Sequence, residues 1–188
     1  MQSSNITVPG DTDQNYFTLA VYAPNGSEVA GGYCNGSSPG ASCRYSLWNL
    51  AAGTYSVVAT PTFGGTINFT AQLQSDVSEG ALSASTPAAI NLAQGQVQRF
   101  TFNANTGDTV ALNLSGVTST APTGQAVYVN VYRPDTGAIN TNNYYTQFDA
   151  TGSQTLSLPN LPVGGTYTAV VYTPYGTPAN GQLTLVPQ

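Results

Sequence analysis

Few residues of this chain have the types and spacing that catalysis requires. There is no His and no Lys, so the usual general bases for a Ser or Cys nucleophile are missing. The string Asp135-Thr-Gly-Ala138 matches an aspartic-protease loop, but that chemistry needs two carboxylates that share a proton. Asp135 follows Arg133 and Pro134, which favours a type I turn. The sequence does not exclude a glycosidase with paired carboxylates, but no pair of acids supports one. We predict that the chain is not an enzyme.

A second group of oxygen-bearing side chains lies near the N-terminus. Asp11, Asp13 and Asn15 alternate like the opening ligands of a calcium loop. Tyr16 stands where such a loop needs Gly, and Tyr22 stands where it needs a bidentate Glu. These three residues are therefore a weak calcium candidate, a hydrated turn is the favoured interpretation, and we expect no cofactor.

Two cysteines are the remaining residues with distinctive chemistry. Cys34 and Cys43 flank a loop rich in Gly, Ser and Pro, which can bring the two thiols together. In an oxidising compartment this spacing predicts a disulfide. The alternatives are two free thiols or a zinc site, and zinc would lack ligands because no His is present.

Aromatic side chains form the candidate binding surface. Planar rings on a flat sheet can stack on sugars or contact another protein, since they combine apolar area with a polar tip. The alternative is packing of tyrosines against each other, whereas Tyr55 and Tyr167, each after Gly-Thr, are predicted to be buried. The candidate ligand or partner residues are Trp48, Tyr128, Tyr132, Tyr144, Tyr145, Tyr172 and Tyr175.

Composition limits the partners and the compartment. Only 6% of residues are charged, the net charge is −5, and the sequence pI is about 4.1. Three scattered Arg cannot neutralise a nucleic acid or an anionic membrane surface. No apolar run approaches the roughly 20 residues that cross a bilayer, and the first residues resemble the start of a mature chain or fragment. A surface of uncharged hydroxyls and amides indicates a secreted or cell-surface protein.

The elements that position these residues are strands. Apolar residues alternate with polar ones in several stretches, as in Phe17, Leu19 and Val21, which is the period of a strand with one wet face. No window has helical spacing, and 20 Gly with 12 Pro supply turns. The pattern predicts an all-β fold.

An internal repeat divides the chain into two related units. Leu19-Ala-Val-Tyr-Ala-Pro-Asn-Gly26 matches Val129-Asn-Val-Tyr-Arg-Pro-Asp-Thr-Gly137, and Asn49-Leu-Ala-Ala-Gly-Thr-Tyr-Ser-Val-Val58 matches a segment that ends at Val171. The predicted architecture is two tandem jelly-roll or immunoglobulin-like antiparallel β-sandwich units, residues 1–76 and 77–188. The first is shortened at its N-terminus, and residues 75–89 are either a linker or a crossing strand.

Four segments of the second unit together resemble a known family. They are Ile90-Asn-Leu-Ala-Gln-Gly-Gln-Val-Gln-Arg-Phe-Thr-Phe102, Gly107-Asp-Thr-Val-Ala-Leu-Asn-Leu114, Val131-Tyr-Arg-Pro-Asp135 and Leu161-Pro-Val-Gly-Gly-Thr-Tyr-Thr-Ala-Val-Val171. In this order they resemble the bacterial pre-peptidase C-terminal domain and related repeats of bacterial surface proteins. The likeness covers nearly all of residues 88–188 and the later two-thirds of residues 14–74. It implies a jelly-roll-like sandwich, attached to secreted enzymes or surface proteins, without catalytic residues of its own. Some relatives bind calcium or polymers, but this chain has no matching acidic cluster.

Three functions follow as hypotheses. The leading one is a non-catalytic structural or adhesive module that contacts other copies or a host or parent surface protein. The second is a filament subunit, in which residues 1–8 or 183–188 of a neighbour supply the strand that the first unit lacks. Residues 75–89 or a strand of the second unit could instead complete it internally. The third is carbohydrate binding through exposed aromatics.

Overall fold

The computed structural model describes residues 2–7, 16–35, 43–45, 47, 50–61, 66–119, 127–135, 146–148, 153–173 and 176–188. These residues form strands, turns and loops, which confirms the all-β prediction. No helix in this described part is long and apolar enough to cross a membrane. The chain divides into two compact units, Met1–Gln74 (unit 1) and Ser75–Gln188 (unit 2).

Unit 1 has two small antiparallel sheets. One has the order β4-β1-β6 and the other β3-β2-β5. Their strands are β1 Gln2–Thr7, β2 Tyr16–Tyr22, β3 Glu28–Asn35, β4 Cys43–Arg44, β5 Ser56–Pro61 and β6 Asn68–Gln72.

The core of unit 1 lies between these sheets. Alternate residues of β2, namely Phe17, Leu19 and Val21, are fully buried, because successive side chains of a strand point to opposite faces. Phe17 stacks on Phe69 of β6 with ring centroids 5.1 Å apart. The predicted periodicity therefore corresponds to one apolar face of β2 packed against the second sheet.

Unit 2 is a larger sandwich. A four-stranded sheet has the order β13-β10-β15-β8, and a five-stranded sheet has the order β12-β11-β14-β9-β7. Pairing is antiparallel except between β7 and β9. The strands are β7 Val77–Ala81, β8 Ala88–Leu92, β9 Gln98–Ala104, β10 Val110–Ser119, β11 Val127–Tyr132, β12 Thr146–Phe148, β13 Gln154–Leu158, β14 Gly165–Tyr172 and β15 Ala179–Pro187.

The core of unit 2 uses inward residues of both sheets. Phe100 and Phe102 of β9 are buried, and Phe102 stacks on the fully buried Tyr167 at 5.3 Å between centroids. Ile90 and Leu92 of β8 enter the same apolar cluster from the other sheet. Strands β8 and β9 therefore cover one side of this sandwich, one in each sheet.

The two units repeat one strand arrangement. Leu19 pairs with Ala59 and Val129 pairs with Val171, so the repeated segments have the same register. Strands β1 to β6 correspond in order to β10 to β15 in both sheets. Within the described residues, unit 1 has no counterpart of β7, β8 and β9, which confirms the shortening at its N-terminus.

One expectation about the chain's connections is wrong. Residues 75–89 neither link the units nor complete unit 1, because β7 and the start of β8 pair with β9 and β15 of unit 2. The terminal strands pair within their own chain: β1 lies between β4 and β6, and β15 lies between β10 and β8, which β15 contacts over residues 179–183. Their addition to another chain stays a prediction.

Candidate partner-binding surface

The cysteine pair joins the two sheets of unit 1. Cys34 in β3 and Cys43 in β4 form a disulfide with their Cα atoms 5.3 Å apart, which confirms the predicted bond. Cys34 is fully buried, and its Sγ lies 3.4 Å from the hydroxyl of Tyr45. Burial raises the pKa of Tyr45 above its ordinary value of 10.0, because the tyrosinate would lose hydration. The disulfide therefore links the two sheets of unit 1, with Cys34 buried and Cys43 half-buried.

Two of the three described tyrosines of the predicted surface contact each other. Tyr128 and Tyr172 are directly opposite on β11 and β14, and their rings stack with centroids 5.5 Å apart and an interplanar angle of 22°. Asn130 Nδ2 donates a hydrogen bond of 3.1 Å to the Tyr172 hydroxyl. Tyr132 is half-buried on the same face. This arrangement matches sheet-face packing, since each stacked ring covers one face of its partner.

Several predicted site residues lie outside the described residues. These are Trp48, Tyr144, Tyr145 and Tyr175 of the aromatic set, and Asp11, Asp13 and Asn15 of the calcium candidate. Among the described residues, no group of three or more Cys, Asp or Glu is placed to hold a metal ion. Asp135 lies in the turn after β11, where its Oδ1 is 3.0 Å from Arg133 Nε.

One side of unit 1 is uncovered in the described structure. In unit 2, β14 lies between β11 and β9, and β15 lies between β10 and β8. Their counterparts have one neighbour each among the described strands: β5 pairs with β2, and β6 pairs with β1. We call the free edges of β5 and β6 the open side of unit 1.

Apolar side chains are exposed along this open side. Val57 of β5 is 47% exposed, whereas its counterpart in β14, Ala169, is fully buried. Val58 is 45% exposed, whereas its counterpart Val170 is 2% exposed. Leu73, directly after β6, is 75% exposed. The same positions of one repeated fold thus differ in exposure, because a neighbouring strand is present in unit 2 and is absent from the described strands of unit 1.

The described residues of the open side carry few of the features that normally protect sheet edges. Exposed edges invite pairing with other chains, and proteins usually block them with charges, bulges or Pro. Neither β5 nor β6 carries a charged residue, although Pro61 ends β5. The outer strand β7 of unit 2, in contrast, carries Glu79 and a register shift before Gly80.

Sequence reasoning detected this site only in part. The shortened front of the first unit predicted an uncovered groove, and that signal was sufficient to expect unpaired backbone groups. It could not identify Val57 and Val58 as the exposed residues, because the run Ser56-Val-Val-Ala59 resembles Thr168-Ala-Val-Val171, the corresponding run of unit 2, whose apolar residues are buried. Their exposure depends on which strand lies beside β5.

Comparison with known proteins adds distant likenesses. No protein-family model and no curated protein sequence matches the chain. PliG of Aeromonas hydrophila, a periplasmic inhibitor of g-type lysozyme, is similar at 17% identity and a TM-score of 0.38, covering 59% of this chain and 99% of PliG. The pre-peptidase C-terminal domain of a Bacillus anthracis collagenase is similar at 16% identity and a TM-score of 0.37, covering 62% and 99%. Because these values are low, the description of the fold rests on strand order and register within the chain.

Proposed function

We propose that this chain is a non-catalytic structural module of a secreted or cell-surface protein, and that it holds another polypeptide at the open side of unit 1. The observation that carries the proposal is the exposure of Val57 and Val58, whose counterparts in unit 2 are covered by strands of the same chain. Apolar side chains lie beside strand edges that no described strand pairs with. This combination favours association with a polypeptide, because an added strand covers the side chains and pairs with the edge at the same time.

The compartment is supported by independent features. A buried disulfide forms and persists in oxidising surroundings, and the bond between Cys34 and Cys43 crosses the core of unit 1. With 6% charged residues, the surface generates little electrostatic repulsion between neighbouring proteins. Both features suit a protein that works outside the cytoplasm in close contact with others.

Protein contact has better support than carbohydrate binding. Strand addition uses backbone hydrogen bonds along an edge, which the open side offers over β5 and β6. A sugar platform needs aromatic faces free for stacking, whereas Tyr128 and Tyr172 stack on each other. The partner that we favour is a parent or host protein rather than another copy, because the described strands of a copy are already paired within that copy.

The test compares native assemblies of edge variants. The full chain is produced with a tag in its own cells, extracted without denaturant and sized by sedimentation. We expect wild type in complexes larger than its own 19.4 kDa, and Val57→Lys as the free chain, since a charged edge opposes pairing. Ser157→Lys, at an exposed site on edge strand β13 of unit 2, is the matched control and should assemble like wild type.

Two results would overturn this proposal. One is wild type recovered only as the free chain. The other is Val57→Lys in the same complexes as Ser157→Lys, since the open side would then not be the contact.

A further inference from the structure

Resting on the proposed function, we infer that the polypeptide held by unit 1 adds as a strand–turn–strand segment with the chemistry of this chain's own β8 and β9. Unit 2 shows how such a segment covers the same side of the same fold. Strand β9 pairs antiparallel with β14, and β8 pairs antiparallel with β15. The equivalent acceptors in unit 1 are β5 and β6.

The register in unit 2 specifies what the donor strand must carry. Phe100 pairs with Ala169, and Phe102 pairs with Tyr167. The counterparts of these two acceptors in unit 1 are Val57 and Tyr55. A donor residue opposite Val57 would therefore point into the core and cover that side chain, as Phe100 does in unit 2.

The second donor strand must fill the other sheet. Ile90 and Leu92 of β8 are buried and pair with Gly181 and Ala179 of β15. Apolar residues at alternate positions in two strands, joined by the turn at residues 93–97, thus close both sheets of unit 2 together. A single added strand would cover only one of the two free edges of unit 1.

The described strands of a second copy do not offer such a segment. In each copy the segment from β8 to β9 already covers unit 2, where its buried apolar side chains include Ile90, Leu92, Phe100 and Phe102. Moving this segment to unit 1 of a neighbouring copy would expose, in unit 2 of its own copy, as much apolar area as it would cover. The occupant is therefore a further polypeptide segment with this alternation, contributed from outside the described strands.

A synthetic peptide tests this inference on the intact chain. The probe has the sequence of residues 88–104, and the readout is amide hydrogen exchange followed by mass spectrometry. We expect the peptide to slow exchange in β5 and β6 by about tenfold or more, because their edge amides become hydrogen-bonded. Exchange in β14 and β15 should not change, since their own neighbours already occupy both edges.

Two variants serve as controls. A peptide with Phe100→Ser and Phe102→Ser keeps the backbone donors but loses the core-filling rings, and it should protect neither strand. The chain variant Val57→Lys should lose the protection that wild type shows. Absence of protection with the soluble wild-type peptide, or equal protection by both peptides, overturns the inference.

A fusion variant covers the case of a poorly soluble peptide. Residues 88–109 are placed ahead of Gln2, which reproduces the connection from β9 to β10 in unit 2, since β1 corresponds to β10. We expect unit 1 of the fusion to unfold at a higher urea concentration than unit 1 of a fusion with the two Ser substitutions. Equal midpoints overturn the inference.

Failure of the inference and failure of the proposed function can be told apart. Native complexes that depend on Val57, combined with no peptide or fusion effect, would mean that the partner binds in another manner. Protection by the peptide, combined with a native chain that is always free, would mean that the open side accepts strands without serving assembly.

Discussion

At the residue scale, one tyrosine contact occurs in both units with different burial. The Tyr167 hydroxyl donates to the carbonyl of Val163, and the Tyr55 hydroxyl donates to the carbonyl of Ala51 at 2.8 Å. In each case the acceptor is four residues earlier, so the bond fastens the turn that leads into the strand. Tyr167 is fully buried, whereas Tyr55 is only half-buried.

This pair predicts unequal effects of the same substitution. Tyr167→Phe should lower the free energy of unfolding of unit 2 by about 1–3 kcal/mol, because a carbonyl in a water-poor site loses its donor. Tyr55→Phe should lower that of unit 1 by less, since water can replace the hydroxyl. Urea unfolding of both variants measures the difference, and equal losses would contradict the argument.

A second residue-scale prediction concerns Tyr45 and pH. Burial raises the pKa of Tyr45 in the folded state above 10.0, the ordinary value expected for the unfolded chain. Above pH 10 the unfolded state therefore releases this proton before the folded state does, so rising pH favours unfolding. Unit 1 should lose stability as pH rises above 10, and Tyr45→Phe should remove the part of this loss that ionisation of Tyr45 causes. The urea midpoints of wild type and of Tyr45→Phe, measured at increasing pH, test this prediction. It is wrong if the two midpoints fall equally steeply with pH.

At the scale of the element, β7 is attached to unit 2 by polar contacts. It is a short parallel edge strand, interrupted by a register shift before Gly80, which has φ of +83°. Gln98, 2% exposed, donates from Nε2 to Glu79 Oε1 at 2.8 Å and accepts from the Asn91 amide at 2.7 Å. Arg99 forms an ion pair with Asp76, just before β7. One buried amide side chain and an ion pair nearer the surface thus hold a strand that has little apolar area.

Substitutions of Glu79 test whether its hydrogen bond with Gln98 holds β7. Glu79→Ala should destabilise unit 2 by about 1–3 kcal/mol, because the buried Gln98 amide would lose its acceptor. Glu79→Gln keeps an acceptor oxygen at the same reach and should retain most of the stability. Circular dichroism during urea unfolding gives both values. If Ala and Gln have equal effects, the hydrogen bond does not hold β7.

At the scale of the whole molecule, the two units have separate cores of different completeness. The core of unit 2 is closed by β8 and β9, whereas unit 1 exposes Val57 and Val58 and relies on the bond between Cys34 and Cys43. A disulfide closing this short loop, with a sequence separation of 9, contributes about 2–3 kcal/mol in the chain-entropy model. We therefore expect unit 1 to be the less stable unit.

Trp48 makes this prediction measurable, because it is the single Trp and belongs to unit 1. Reductant should shift the tryptophan fluorescence transition to lower urea and leave the later circular dichroism transition of unit 2 in place. A double variant with Cys34→Ser and Cys43→Ser should have the fluorescence midpoint of reduced wild type, and reductant should not change that midpoint. An unchanged fluorescence midpoint, with both thiols alkylated, would contradict the role of the disulfide.

Local features were sufficient for much of the fold. The alternation of Phe17, Leu19 and Val21 identified an inward face, because the period of a strand is a property of neighbouring residues. Repeated segments implied a repeated register, and the loop between Cys34 and Cys43 implied their bond. The shortened front of the first unit even predicted that a strand is missing there.

Other features depend on pairing between distant segments. The pattern of β7 and β8 does not reveal whether they join unit 1 or unit 2, since either unit offers open strand edges. Likewise Val58 and Val170 lie at the same position of similar strands, and the presence of β9 beside β14 makes Val170 buried while Val58 is exposed. Periodicity determined which face of each strand is apolar. Tertiary structure decided which strands are neighbours, because edge hydrogen bonds and the filling of a shared core are satisfied by residues far apart in sequence.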